Sequence, residues 1–228
     1  MFHTTCLLYF LLLFIFNLLN CNPKIVSNSE PSKNVLHSAL ERSVTIHYHI
    51  SDTAKGTGLL LDEEGYILTA NHVILGWEDR VRISQDSKTF YDAILVRAEP
   101  KLDLALLKST LTKKLPSISW VDRSELATND SIFIFGSSWG LANSFLKGYI
   151  SHTDRTGFDI RMPTIPYIQT MGTSFPGCSG AAVYTLEGGI IGINRATVGF
   201  EAGNSTGLVI PAGYVKAFLK ASHPENFK

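Results

Sequence analysis

The sequence predicts an all-β fold made of many short strands. Apolar and β-branched runs recur from Ser43 onwards, and turn residues separate them. The 228 residues include 18 glycines and 9 prolines, which suits many turns better than a few long helices. Hydrophobic residues make up 45% of the chain, enough for a full core. Strand spacing of this kind is typical of β-sandwiches and β-barrels.

The clearest local signal is a β-hairpin. Gly58–Leu61 and Tyr66–Thr69 are apolar arms on either side of the turn Asp62–Gly65. Helical spacing is found mainly after Pro211, where it predicts a short C-terminal helix over residues 211–222, and one helical turn is expected after Asn71. The other predicted strands are Ser43–Ile50, Val81–Ile83, Phe90–Arg97, Leu104–Leu107, Ser131–Phe135, Leu146–His152, Tyr167–Gln169, Ala181–Tyr184, Gly189–Asn194 and Gly207–Ile210.

The N-terminal segment has the pattern of an export signal. Leu7–Phe16 is a nearly unbroken apolar run without charge, short for a membrane span. We therefore predict a signal over residues 1–21. Its end, Leu18-Leu19-Asn20-Cys21, resembles a relaxed bacterial lipobox, which implies a lipid on Cys21 that tethers the protein to a membrane. The alternatives are a signal peptide whose cysteine is incidental and an uncleaved signal anchor.

The cysteine count indicates the compartment. Residues 22–35 are polar and are predicted to form a flexible tether. The only cysteines are Cys6, Cys21 and Cys178. If the first is removed with the signal and the second is acylated, Cys178 has no partner for an internal disulfide. Such a domain fits the bacterial periplasm or cell envelope better than a disulfide-rich secreted animal protein.

The charge pattern argues against nucleic acid as a partner. The chain carries 20 basic and 20 acidic residues, for a net charge of zero, and no basic stripe. His47 and His49 share one face of a predicted strand, but no further ligand pattern accompanies them. We therefore expect neither a metal nor another cofactor.

Three segments together carry a recognisable chemistry. His72 directly follows a predicted hairpin, Asp103 precedes an apolar strand, and Ser179 lies in a tight turn between Gly177 and Gly180. A serine hydroxyl is a weak nucleophile and needs a neutral imidazole to take its proton. A carboxylate fixes the imidazole tautomer and stabilises the imidazolium, and backbone N–H groups in such a turn can bind an oxyanion. Each motif alone is weak, and only the combination predicts catalysis.

The same segments resemble the HtrA/Deg-type serine proteases of the chymotrypsin superfamily. The matching stretches, which together span roughly residues 40–222, are Gly56–Asp62, Gly65–Val73, Asp103–Lys108, Ile168–Thr170, Pro176–Gly180, Gly189–Asn194 and Gly207–Pro211. The resemblance implies two antiparallel six-stranded β-barrels with the site between them. It places barrel one at about 36–125 and barrel two at about 126–210, within a protease domain of residues 36–222.

The resemblance also implies a role for each residue. His72 is the general base and then the general acid, Asp103 orients it, and Ser179 is the nucleophile that forms the acyl-enzyme. The N–H groups of Gly177 and Ser179 form the oxyanion hole. The partners expected from these roles are protein or peptide substrates.

Cys178 departs from the family pattern, which usually has asparagine there, while pancreatic-type enzymes have aspartate. Without that aspartate, activation through a new amino terminus is not expected. Gly180 places Ser179, rather than Cys178, at the position of the nucleophile. We expect Cys178 to point away from the cleft and, as a free thiol near the site, to make the protein sensitive to thiol reagents.

Four further residues are candidates for the specificity pocket. Thr173 and Ser174 align with its base, and since neither is acidic, a small or apolar preference is expected rather than lysine or arginine. Asn194 and Arg195 complete the set, with Arg195 either beside the pocket or pointing to solvent. No PDZ domain follows the predicted last helix, in contrast to most HtrA-type enzymes, so the oligomeric state stays open.

Two functions remain as hypotheses. The first is a serine endopeptidase that works through a Ser-His-Asp triad and an acyl-enzyme. The alternative is a catalytically silent binding or adhesion protein at the cell envelope, built on a protease fold. The presence of all three triad residues favours the first.

Overall fold

A computed structural model describes residues 30–48, 53–79, 81–159, 162–198 and 205–222. The predicted signal over residues 1–21, including Cys21, and most of the predicted tether lie outside these residues. Contacts separate residues 1–30 from a compact unit of residues 31–228, to which the helices and strands below belong. None of the described helices is long and apolar enough to cross a membrane.

The first half of the compact unit is a closed barrel of six antiparallel strands in the order β1-β2-β3-β6-β5-β4. The predicted hairpin is present, since Leu59 pairs with Leu68 across β2 and β3. The strands are β1 (Ser43–Tyr48), β2 (Ala54–Leu60), β3 (Tyr66–Ala70), β4 (Val81–Ser84), β5 (Phe90–Glu99) and β6 (Leu104–Ser109).

The second half repeats this design. Its six strands also close into a barrel, and the cyclic order β7-β8-β9-β12-β11-β10 is that of the first barrel with six added to each number. The sequence shows no such repeat. The strands are β7 (Ser131–Gly136), β8 (Ser144–Arg155), β9 (Tyr167–Met171), β10 (Ala182–Thr185), β11 (Ile190–Val198) and β12 (Thr206–Pro211). The predicted fold class, two six-stranded antiparallel barrels, is confirmed.

Strand alternation explains why many strands are apolar on both faces. Leu60 and Ile67 point into the interior of barrel one, while their neighbours Leu59 and Leu68 belong to a separate cluster. Phe133 and Tyr184 of barrel two belong to that same cluster, so it fills the space between the barrels. A third cluster, which includes Ile134, fills barrel two. Since side chains alternate along a strand, continuous apolar runs are what a strand buried on both faces requires.

Three helices complete the unit. The C-terminal helix α3 (Ala212–Ser222) is confirmed, and it packs Val215, Phe218 and Leu219 against the cluster between the barrels. A single turn, α2 (Asn71–Ile74), follows β3. Sequence reasoning missed α1 (Lys33–Arg42), which overlaps the last three residues of the predicted tether.

Candidate active site

His72 is positioned at the junction of β3 and α2. The backbone N–H of Asn71 donates to the carbonyl oxygen of Asp103 at 2.9 Å, which ties this junction to the start of β6. Asp103 adopts a left-handed backbone conformation, with φ of +56°, directly before that strand. Residues held in this region often lie at functional sites, because surrounding contacts must maintain them. The carboxylate of Asp103 is thereby aimed at His72.

Two hydrogen bonds join His72 and Asp103. The backbone N–H of His72 donates to Oδ1 of Asp103 at 2.8 Å, and ring atom Nδ1 lies 2.7 Å from Oδ2. The Asp103 side chain is only 8% exposed, whereas that of His72 is 43% exposed. Because a carboxylate accepts here, the neutral ring carries its proton on Nδ1. Nε2 is left with a free lone pair, as a general base requires.

Ser179 lies in a turn that hydrogen bonds fix on both sides. Cys178 N–H donates to Phe175 at 2.9 Å, and Gly180 N–H donates to Asn194 at 2.8 Å. The hydroxyl of Ser179 donates to the carbonyl oxygen of Arg195 at 3.1 Å. Within the described part of the chain, no hydrogen bond joins Ser179 to His72. The hydroxyl proton must therefore leave the Arg195 carbonyl before His72 can accept it.

The N–H groups of Gly177 and Ser179 donate to no protein acceptor within the described residues, so both are available to an external oxygen. The carbonyl of Pro176 accepts from Trp139 N–H at 2.7 Å. Since N–H and C=O point in opposite directions across a trans peptide, this bond turns the N–H of Gly177 away from Trp139. Gly177 has φ of +91°, and a Cβ there would lie 2.0 Å from the carbonyl oxygen of Ser137. Only glycine fits this position.

Sequence reasoning missed a clamp formed by Thr57 of β2. Its backbone N–H donates to the carbonyl of Ser179 at 2.8 Å. Its hydroxyl donates to the carbonyl of Gly177 at 2.8 Å and accepts from the N–H of Ser137 at 2.9 Å. Thr57 thus holds the turn of barrel two against barrel one. Its place in the Gly56-Thr57-Gly58 stretch was the only available signal.

Three of the four predicted pocket residues form one buried cluster close to Ser179. Asn194 Nδ2 donates to Ser174 Oγ at 3.2 Å and to the carbonyl of Cys178 at 3.0 Å. Thr173 donates to Thr170 at 3.1 Å. Within the described residues, Oδ1 of Asn194 has no hydrogen-bond partner. The cluster is therefore polar, uncharged and left with one unused acceptor.

Arg195 does not follow either expectation for its side chain. It neither joins the Thr173, Ser174 and Asn194 cluster nor points to solvent, since its side chain is only 13% exposed. Its Nε lies 3.3 Å from Oδ2 of Asp103, and its terminal nitrogen Nη2 lies 2.9 Å from Oδ2 of Asp159. The Nε–H makes no hydrogen bond, so its contact with Asp103 is an ion pair without hydrogen-bond geometry. Two carboxylates attract the guanidinium to the triad side of the turn.

Cys178 is fully buried and packs in the core of barrel two. It points away from the cleft, but the expected sensitivity to thiol reagents does not follow. Burial raises the pKa of the Cys178 thiol above its ordinary value, against weaker opposing contributions from Phe175 and Ser138. Only the thiolate is strongly nucleophilic.

We therefore expect Cys178 to resist alkylation in the native protein. Iodoacetamide at neutral pH should modify it at least about tenfold more slowly than in denaturant, because the folded thiol is both inaccessible and protonated. Mass spectrometry of the peptide that contains Cys178 measures this rate separately from Cys6 and Cys21. Equal rates in the native and denatured protein would contradict the assigned burial.

Comparison with known proteins places this geometry in a family. Residues 56–193, more than half of the chain and including His72, Asp103 and Ser179, match the family of the trypsin-like peptidase domain. The serine protease HTRA1B of Danio rerio is 32% identical over 196 residues, which cover 85% of this chain and 40% of that protein. A probable periplasmic serine endoprotease, DegP-like, of Pseudomonas putida is 32% identical over 142 residues, 61% of this chain and 28% of that protein.

A solved structure agrees with these relatives. The HtrA-type protease AlgW with tripeptide has a TM-score of 0.74 and 27% identity, covering 85% of this chain and 64% of that one. The chain thus spans about two fifths of the length of the first relative. The resemblance read from the sequence motifs is confirmed. This chain belongs to the trypsin-like peptidase family and is homologous to the protease domain of the HtrA-type enzymes.

Proposed function

We propose that this chain is a serine endopeptidase with His72, Asp103 and Ser179 as its triad. The observation that carries the proposal is the paired hydrogen bonding of His72 to Asp103, at 2.8 and 2.7 Å, which leaves Nε2 free as a base. Family membership supports the same assignment.

The reaction then proceeds in two halves. Nε2 of His72 takes the hydroxyl proton while Oγ of Ser179 attacks the scissile carbonyl carbon. The negative charge that develops on the carbonyl oxygen is stabilised by the N–H groups of Gly177 and Ser179. The imidazolium, stabilised by Asp103, protonates the leaving amine, and the peptide bond breaks to give the acyl-enzyme. Water, deprotonated by His72, hydrolyses the ester and restores Ser179.

The proposed substrates are proteins or peptides with a small, uncharged residue before the cleaved bond. The related AlgW structure has a tripeptide bound, which supports a peptide substrate. Thr173, Ser174 and Asn194 are buried and supply no acidic group to pair with lysine or arginine. The unused Oδ1 of Asn194 is available to a donor.

The proposed location is the bacterial periplasm or cell envelope. The DegP-like relative is described as periplasmic, and the apolar run near the N-terminus fits export. A lipid on Cys21 would hold the protease domain, proposed as residues 36–222, at a membrane surface.

The test is cleavage of a denatured protein mixture by the full chain. We expect defined new peptide ends from the wild type and none above background from Ser179→Ala. Ser117→Ala is the matched control, since Ser117 is exposed in the segment between the barrels and should leave the cleavage rate unchanged. A folded wild type that binds denatured chains without cutting them would refute the endopeptidase and favour the silent binding protein.

A further inference from the structure

An ion-pair chain leads from the candidate triad into the loop between β8 and β9. Arg195 stands between two carboxylates, 3.3 Å from Asp103 and 2.9 Å from Asp159. The side chains of Asp103 and Asp159 are each 8% exposed. Little solvent or salt reaches these charges, so they act on each other more strongly than a surface pair.

Tyr167 anchors the far end of this chain. Its hydroxyl donates to Oδ2 of Asp159 at 3.1 Å, and its ring lies 5.9 Å from the guanidinium carbon of Arg195. Burial raises the pKa of Tyr167, so the phenol stays neutral at every pH at which a protease works. The titratable and charged groups that meet at this point are thus His72, Asp103, Arg195, Asp159 and the neutral Tyr167.

We propose that Arg195 is a positioning residue for Asp103, that Asp159 holds it in place, and that the opposed charges of Arg195 and Asp159 set the pH range in which His72 can act as a base. The inference rests on the proposed function, because His72 is the base only in a protease. It adds two residues, Arg195 and Asp159, that no triad motif contains.

Geometry supports the positioning role. The guanidinium is a planar fork, so Nε and Nη2 contact different carboxylates at the same time. A lysine ammonium is a compact point charge and cannot span both in this way. Arg195 therefore constrains the Asp103 carboxylate from the side opposite the histidine hydrogen bonds.

The charges act on His72 in opposite directions. Protonating His72 adds a positive charge beside the pair of Asp103 and Arg195. Without the positive charge of Arg195, the imidazolium is favoured and persists to higher pH. Without the negative charge of Asp159, the imidazolium is disfavoured and is lost at lower pH. A residue that mattered only for packing would not produce shifts of opposite sign.

The test is the pH profile of kcat/KM for two variants. We expect Arg195→Gln to move the midpoint of the acid limb upwards, and Asp159→Asn to move it downwards, each by about 0.5 to 1 pH unit, as expected for partly screened charges a few ångströms apart. Arg195→Lys keeps the charge and should stay near the wild-type midpoint while kcat falls. Arg123→Gln removes an exposed arginine that pairs with Asp154, and should shift nothing.

A second readout separates this inference from the proposed function. The ring titration of His72, followed by NMR in the inactive Ser179→Ala protein, should show the same two opposite shifts. If the wild type cleaves nothing but these shifts appear, the endopeptidase fails and the charge coupling stands. Shifts of the same sign, or none, in the near-isosteric Asp159→Asn overturn the inference, whether or not Arg195→Gln folds.

Discussion

Replacing Asp103 with asparagine is expected to lower kcat by about 10⁴-fold, the cost typical of losing this carboxylate from a serine protease triad. An asparagine has one oxygen, and the backbone N–H of His72 already occupies the position of Oδ1. Its NH₂ group then faces Nδ1 and donates to it. The neutral ring must therefore carry its proton on Nε2, where it cannot accept the proton of Ser179.

Asp103→Asn is a clean substitution because the side chains have the same shape and asparagine tolerates the left-handed backbone at φ of +56°. Single-turnover hydrolysis of an ester substrate measures the chemical step. Asp92→Asn is the control, since Asp92 is exposed on β5 and its carboxylate lies away from the site. A loss below about tenfold for Asp103→Asn, with folding intact, would mean that His72 does not depend on this carboxylate.

An alanine at Gly177 is expected to lower kcat by about 10²- to 10³-fold, the cost of losing one oxyanion donor. The added methyl group would lie 2.0 Å from the carbonyl of Ser137 and so must push the turn aside. The N–H of Gly177 then no longer points where the oxyanion develops. Since the donor acts mainly in the transition state, KM should change much less than kcat.

Gly76→Ala separates this displacement from backbone strain. Gly76 has φ of +88°, close to that of Gly177, but a Cβ there meets nothing within 4 Å. It should lower thermal stability slightly and leave kcat within about threefold of wild type, because only local strain is added. Equal losses of kcat in both variants would contradict the role given to the N–H of Gly177.

The sequence predicted well what depends on neighbouring residues. The hairpin of β2 and β3 follows from its turn residues, and helix α3 follows from Pro211 and the apolar spacing behind it. The segments of His72, Asp103 and Ser179 were recognisable because catalysis restricts the residue types in each. Helix α1 was missed although its signals were present, with Ser32 as N-cap and Val35, Leu36 and Ala39 at helical spacing.

The supporting contacts were not predictable, because they join residues far apart in the chain. Thr57 contacts Gly177 across 120 positions and Ser137 across 80, and no local pattern marks it. Arg195 has no local signal either, since its partners Asp103 and Asp159 come from different barrels. Cys178 looked reactive from its neighbours, and only the packing of barrel two shows that it is buried.

These contacts explain how two barrels could make one site. Barrel one supplies His72 and Asp103, barrel two supplies Ser179, and Thr57 ties the turn of the second barrel to a strand of the first. The apolar cluster between the barrels fixes their separation. A rigid frame of this kind holds donors and base in place before the substrate arrives, which is the main source of electrostatic catalysis.

The most direct measurement is the site of modification by a fluorophosphonate, which reacts with a serine only when a base and an oxyanion hole activate it. Intact mass and peptide mapping of the native protein should show one adduct, on Ser179. The adduct should be absent in Ser179→Ala and should form far more slowly in Asp103→Asn. A folded wild-type protein that stays unlabelled, or one labelled on another serine, would contradict the assignment of His72, Asp103 and Ser179 as a working triad.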